Sequence, residues 1–248
     1  MFLPILIRIS KKKYLEDLQA GKLFMRNVMY YQRLESTDTV RCDPFDGAIP
    51  APGLVPRCLQ NDSAVSDLNL QTTRFMSFKT YVACFFGIKS DQIDSTGHIV
   101  LSAAIVNELW KFCCEDALII DLNRFAKRLS EITDSKQAEL DFRHVKYLTD
   151  EEYIFELKCL LQQAHTTQPI EFMKRKIFSN QQEFRISCKN DLIFRKFQSS
   201  SSSVLAISPE MAEQMGNAFI TIDIGSIQDF SCIISLKDLL EGKIQLPG

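Results

Sequence analysis

A chain of 248 residues, 46% hydrophobic and 24% charged, has the make-up of a soluble globular protein with room for one large core or two small ones. Its formal net charge of −2 supplies no global field to hold it on nucleic acid or on a membrane, so any such contact must come from a local patch. Eighteen phenylalanines against one tryptophan point to a well-filled apolar core.

The first predicted element is a buried strand over residues 3–9 whose one charge is Arg8. Its apolar run falls far short of the ~20 residues a membrane span needs. Apolar followed by basic is the reverse of a signal peptide's order, so no membrane contact is expected. None of the eight cysteines forms C-x-x-C, and Cys84, Cys188 and Cys232 sit in apolar strand patterns. That is the habit of reduced, buried thiols, and it predicts a cytoplasmic protein.

Ser10 is placed to cap a helix over residues 11–20, with Tyr14, Leu15 and Leu18 on one face and Gly21 as its stop. A strand over 22–26 and a short aromatic helical segment over 27–35 follow. Residues 36–69 read as a long irregular loop containing Asp43-Pro44-Phe45-Asp46-Gly47 and prolines 44, 50, 52 and 56. Strands are predicted over 72–78 and 81–88, a helix over 101–113, a strand over 117–121 and a helix over 122–132. A strand over 139–147 precedes a helix over 150–164 capped by Thr149. After a basic helix over 172–178, a strand carries Glu183, Arg185 and Ser187 on one face and Phe184 and Ile186 on the other. The remainder reads as a strand over 192–197, a five-serine loop, a short helix from Pro209, strands over 219–224 and 230–234, and a helical turn over 236–240 closed by Gly242. Strands arrive without strict alternation with helices. The prediction is a single α+β domain over residues 1–248, with a mixed, mostly antiparallel sheet and flanking helices.

Glu183 and Arg185, two residues apart on one strand face, form either a solvent-facing ion pair on an edge strand or a pair that jointly holds a polar ligand. Tyr30 and Tyr31 are either half-buried core edges or a stacking surface for a planar ring. Lys174, Arg175 and Lys176 are either a solvated helix face or a contact for nucleic acid or phosphate, which Arg26, Arg74 and Lys79 would extend. Asp43 and Asp46 are either a self-capped turn or carboxylates on a loop that closes over a ligand. His98, His144 and His165 are too irregularly spaced for a histidine metal site, and no metal is expected.

Taken in order, LEDLQAGKLFMRNVMYYQRLE, CDPFDG, VACFFG, ELWKF, ALIIDLNRF, FRHVKY and FMKRKIFSNQQEFRI resemble an uncharacterised bacterial family associated with abortive infection and phage defence. That family is marked by an F-N-D-P-F-E-like box and a K…W-x-x-E-x-E-x-R segment. Here Cys42 and Asp46 replace the box Asn and final Glu, Ser179 or Asn180 the Trp, and Gln181 the first Glu. The resemblance implies a defence effector with an antitoxin or defence-system partner.

A looser similarity is to ADP-ribosyltransferases. It assigns Arg8 to the opening strand, Ser77 to the middle motif, and Gln181-x-Glu183 to the closing motif. It implies NAD as substrate, with Glu183 steadying the ribosyl cation, Arg8 on the pyrophosphate and Tyr31 over the nicotinamide. A nucleic acid or protein would be the acceptor. Two other classes stay open: a non-catalytic nucleotide- or partner-sensing module, and a metal-dependent nuclease using Asp43, Asp46 and Glu183.

Overall fold

The computed structural model describes residues 4–33, 80–135, 138–161, 169–190 and 217–246. In chain order these residues form β1 (Ile5–Ser10), α1 (Lys12–Gln19), β2 (Lys22–Asn27), α2 (Val28–Arg33), β3 (Thr80–Ile88), α3 (Ala103–Trp110), β4 (Asp116–Asp121) and α4 (Leu122–Asp134). They continue with β5 (Leu140–His144), β6 (Lys146–Leu148), α5 (Asp150–Leu161), β7 (Met173–Arg175), β8 (Glu183–Lys189), β9 (Phe219–Asp223), β10 (Ser231–Ser235) and α6 (Leu236–Leu240). The protein is α+β: among the described residues eight strands join in one antiparallel sheet, and β6 and β7 form a small parallel pair.

Alternation along the strands divides the core in two. Leu6, Ala83, Phe85, Phe184 and Ile186 point to one face, where Leu15 and Leu18 of α1 and Phe125, Leu129 and Ile132 of α4 cover them. Ile5, Ile7, Phe86 and Ile88 point to the other, beneath Ile105 and Leu109 of α3 and Leu236 and Leu239 of α6. Each face is apolar at period two and each helix at period 3.6, so neither layer can stay dry without the other.

The sheet forks at β3. One edge of β3 runs against β8 along its length, from Thr80↔Lys189 to Phe86↔Glu183. The opposite edge is shared: Phe86–Ile88 take β1, and Val82 and Tyr81 take β2. Carried onward, the β1 register (Ile7↔Phe86) and the β2 register (Arg26↔Val82) would set Ile9 and Phe24 against the same residue, Cys84. Two strands cannot occupy one ladder position about 4.8 Å from β3. They part instead, β1 towards β4 and β10, β2 towards β9.

Gly21 ends α1 at φ +99°, and a Cβ there would come within 2.5 Å of the Gly225 backbone. Only glycine permits that turn and that approach, which brings the chain after β9 beside the start of β2.

Several expectations change. Lys11 rather than Ser10 sits at the α1 N-cap, without a side-chain bond, and Tyr14 turns out to solvent. The strand expected over 139–147 is two, Leu140–His144 and Lys146–Leu148, and Val145 between them donates its N–H to Glu183 O at 2.9 Å. The basic helix over 172–178 is absent: Met173–Arg175 is a strand and Lys176–Gln181 a 3-10 helix. The strand over 72–78, the serine loop, the strand over 192–197 and the helix from Pro209 lie outside the described residues.

Candidate functional site

The fork opens a cleft of about 540 Å³ lined by β1, α1, β2, α2, the middle of β3 and the start of β8. Arg8, Tyr30, Tyr31, Lys174, Gln181 and Glu183, drawn from three distant stretches of sequence, all line it. Ser77, Asp43 and Asp46 lie outside the described residues.

Glu183 lines the floor, while Arg185 does not line the cleft and lies buried beneath it; both leave β8 on the same side, as the period-two pattern requires. Arg185 Nη2 donates to Glu183 Oε2 at 2.8 Å, and Nη1 donates to the Glu171 carbonyl oxygen at 2.6 Å. Arg185 is fully buried and Glu183 is 13% exposed. β8 has β3 on one side and β5 on the other, so of the two readings the solvent-facing ion pair on an edge strand is overturned. This pair is buried in a middle strand, where it demands compensation.

Lys174 supplies it. Its Nζ lies 3.1 Å from Glu183 Oε2 and donates to Gln181 Oε1 at 2.7 Å. Its side chain is 3% exposed. The three basic residues therefore do not share a solvated face. Lys174 turns inward, Arg175 pairs with Asp150 at 3.0 Å, and of the three only Lys176 is exposed. The reason is strand alternation: β7 sends Lys174 one way and Arg175 the other.

Burial alone would raise the Glu183 pKa, but Arg185 and Lys174, with hydrogen bonds from Lys174 and Cys84, bring it down to about 2. Glu183 is thus ionised throughout the neutral range. Between Gln181 and Glu183, Gln182 adopts left-handed backbone at φ 41°. For a non-glycine residue that costs roughly 1–3 kcal/mol. The kink is held by Gly87 N–H donating to Gln182 O at 2.8 Å and Glu183 N–H donating to Tyr147 Oη at 2.8 Å.

Arg8 starts from the other side of the sheet. It shares its face of β1 with Leu6, and its guanidinium sits 5.5 Å from the Phe85 ring centroid. It reaches into the fork, where Nη1 donates to Cys84 O. A guanidinium thus takes the carbonyl that neither β1 nor β2 reaches. Tyr31 sits between the two ends. Burial raises its hydroxyl pKa, the Cys84 thiol adds to the rise, and Arg8 and Arg185 oppose it. Its ring meets that of Tyr30 edge-on at 5.6 Å.

The outer rim is aromatic. Phe24 and Phe219, 39% and 56% exposed, lie 5.0 Å apart across the β2–β9 ladder. The Arg26 guanidinium covers the Tyr30 ring at 4.3 Å and the Phe24 ring at 5.3 Å. The sequence reading missed Phe24 and Phe219. The available signal was parity: Phe24 shares its strand face with Lys22 and Arg26 while Leu23 and Met25 go inward. Cys84 and Tyr147 were also missed as site residues, although they lie within the VACFFG and FRHVKY segments.

Among the described residues, no group of three or more His, Cys, Asp or Glu is arranged to hold a metal ion. No helix among them is long and apolar enough to cross a membrane. Cysteines 84, 113, 114, 159, 188 and 232 are thiols outside any disulfide. No protein-family model, curated protein or solved structure matches the chain.

Chemically, the arrangement offers a fixed, ionised carboxylate at the floor, a guanidinium at the fork, and aromatic faces at the mouth. That set suits a ligand that combines a planar ring with negative charge.

Proposed function

We propose that the protein is an ADP-ribosyltransferase-like enzyme that takes NAD as substrate in the cleft of the forked sheet. The supporting observation is that Arg8, Tyr30, Tyr31, Gln181 and Glu183, distant in sequence, line this one cleft. In the proposed reaction the ribose C1′–N bond to nicotinamide breaks, and nicotinamide leaves with the bonding electron pair. The positive charge left on the ribose faces the Glu183 carboxylate, as in glycosidic cleavage. An acceptor nucleophile then bonds to C1′ and loses its proton. Arg8 neutralises the pyrophosphate, and Tyr30 and Tyr31 cover the ring.

The acceptor class, nucleic acid or protein, and a role as a cytoplasmic toxin or anti-phage effector with an antitoxin or defence-system partner rest on the family resemblance. Incubating purified protein with NAD labelled in the nicotinamide tests the core of the reading. Release by the wild type and a fall of about 100-fold or more in Glu183→Gln are expected. Equal release from both, or none from the wild type with any acceptor, rejects it.

One observation favours a second reading, a non-catalytic nucleotide sensor. Glu183 already faces two cations, and a carboxylate so neutralised does less for a developing positive charge than a lone one. A sensor would be stabilised by NAD or another nucleotide without consuming it. Ligand at 100 times its Kd should add about 2.7 kcal/mol. The metal-dependent nuclease reading needs Asp43 and Asp46 beside Glu183. Nuclease activity abolished by a chelator is its test.

A further inference from the structure

We propose that Lys174 is a positioning residue for the Gln181-x-Glu183 pair, its single ammonium fixing both side chains towards whatever occupies the cleft. The proposal stands on geometry. In an unkinked strand, residues 181 and 183 would share a face through alternation alone. Here Gln181 ends a 3-10 helix, Glu183 begins β8, and Gln182 between them is left-handed. Alternation therefore does not align the two side chains. What joins them is Lys174, 2.7 Å from Gln181 Oε1 and 3.1 Å from Glu183 Oε2. An ammonium has only donors, so the Gln181 amide must turn its oxygen to Lys174. This settles which way the amide faces. Lys174 is itself held on β7, opposite Tyr147 in the β6–β7 ladder, and Tyr147 Oη accepts the Glu183 N–H. The same small parallel pair thus grips Glu183 by its side chain and its backbone.

The groups that act on Glu183 from its surroundings are Arg185 on its own strand, Lys174 on β7, Cys84 on β3, Tyr147 on β6 and Tyr31 on α2. Arg185 and Lys174 are the cations that lower its pKa, so removing Lys174 leaves one of them.

The role in turnover rests on the NAD reading, whereas the role in holding Glu183 does not, and two measurements separate them. Carboxyl carbon NMR, with the Glu183 signal assigned by its loss in Glu183→Gln, follows ionisation in the absence of ligand. In the wild type that carboxyl stays ionised down to the pH at which the fold is lost. In Lys174→Met its midpoint rises by about one unit or more, and in Lys174→Arg it returns towards the wild-type value. Should Lys174→Met not fold, Lys174→Gln removes the charge while keeping hydrogen-bonding capacity, and the same rise is expected. In NAD turnover, kcat falls at least about tenfold in the neutral variants with KM little changed, the acid limb of the pH profile moves up, and Lys174→Arg recovers most of kcat. An unmoved Glu183 midpoint in the neutral variants overturns the proposal, as does wild-type kcat in either of them. If the wild type releases no nicotinamide, the NAD reading fails, and the NMR midpoint alone decides the role of Lys174.

Discussion

The two ends of the cleft are built on opposite principles. At the floor, Glu183, Arg185 and Lys174 are almost wholly enclosed and satisfy one another at 2.8 and 3.1 Å. At the mouth, Phe24 and Phe219 lie open on a two-stranded ladder and lean on each other and on Arg26. A buried ion cluster is an expensive way to fill space, since apolar side chains of the same volume would stabilise as well or better. An exposed aromatic pair is costly in the opposite sense, because it leaves apolar surface in water. Each end departs from what stability alone favours. The floor fixes charge in one arrangement, and the mouth keeps planar surface accessible.

That contrast can be broken most forcefully at the floor. Glu183→Ala leaves Arg185 and Lys174 as buried cations without their carboxylate. A loss of about 3–5 kcal/mol in urea unfolding is expected. A loss below about 1 kcal/mol would mean that water reaches the cluster and that the floor is no more organised than the mouth.

Acid probes the same charges without mutation. The Glu183 carboxyl, at about 2 in the folded protein against an ordinary 4.5, binds its proton more readily when unfolded. Its stabilisation is complete above about pH 4.5 and fades as the pH falls towards 2. Urea midpoints measured across that window should fall by more in the wild type than in Glu183→Gln. Parallel curves would show that the carboxyl is not depressed.

Arg8 tests the hinge between the two ends. Arg8→Met removes the donor to Cys84 O and the charge proposed to meet a pyrophosphate. NAD affinity measured by calorimetry should weaken about tenfold or more, with roughly 1 kcal/mol of stability lost. Unchanged affinity would remove Arg8 from the ligand's path.

The smallest effects belong to the mouth. Phe24→Ala or Phe219→Ala should alter stability by no more than about 1 kcal/mol, because neither ring is buried. Ligand affinity should weaken a few-fold, in keeping with about 0.5–1.5 kcal/mol for an aromatic contact. If either costs as much stability as Glu183→Ala, the rim is core and the comparison is wrong.

Much of the chain was legible because its rules are local. Apolar runs marked β1 and β3, a shared apolar face marked α1, and the common face of Glu183 and Arg185 on β8 followed from alternation alone. The basic helix misled because Lys174-Arg175-Lys176 has good helical propensity. Pairing with β6 overrode it. The small parallel ladder is a non-local contact that no window of sequence contains.

The sequence by itself determined the α+β class, the buried strands and the face that carries Glu183 and Arg185, since these depend only on side-chain period and polarity. Tertiary structure alone decided that Arg8 and Glu183 belong to one cleft. They root on opposite faces of the sheet, and they reach a common space only because β1 and β2 run out of room at Cys84 and separate. That divergence is set by the registers of two ladders on one edge of β3, and register is a property of paired strands rather than of any one of them.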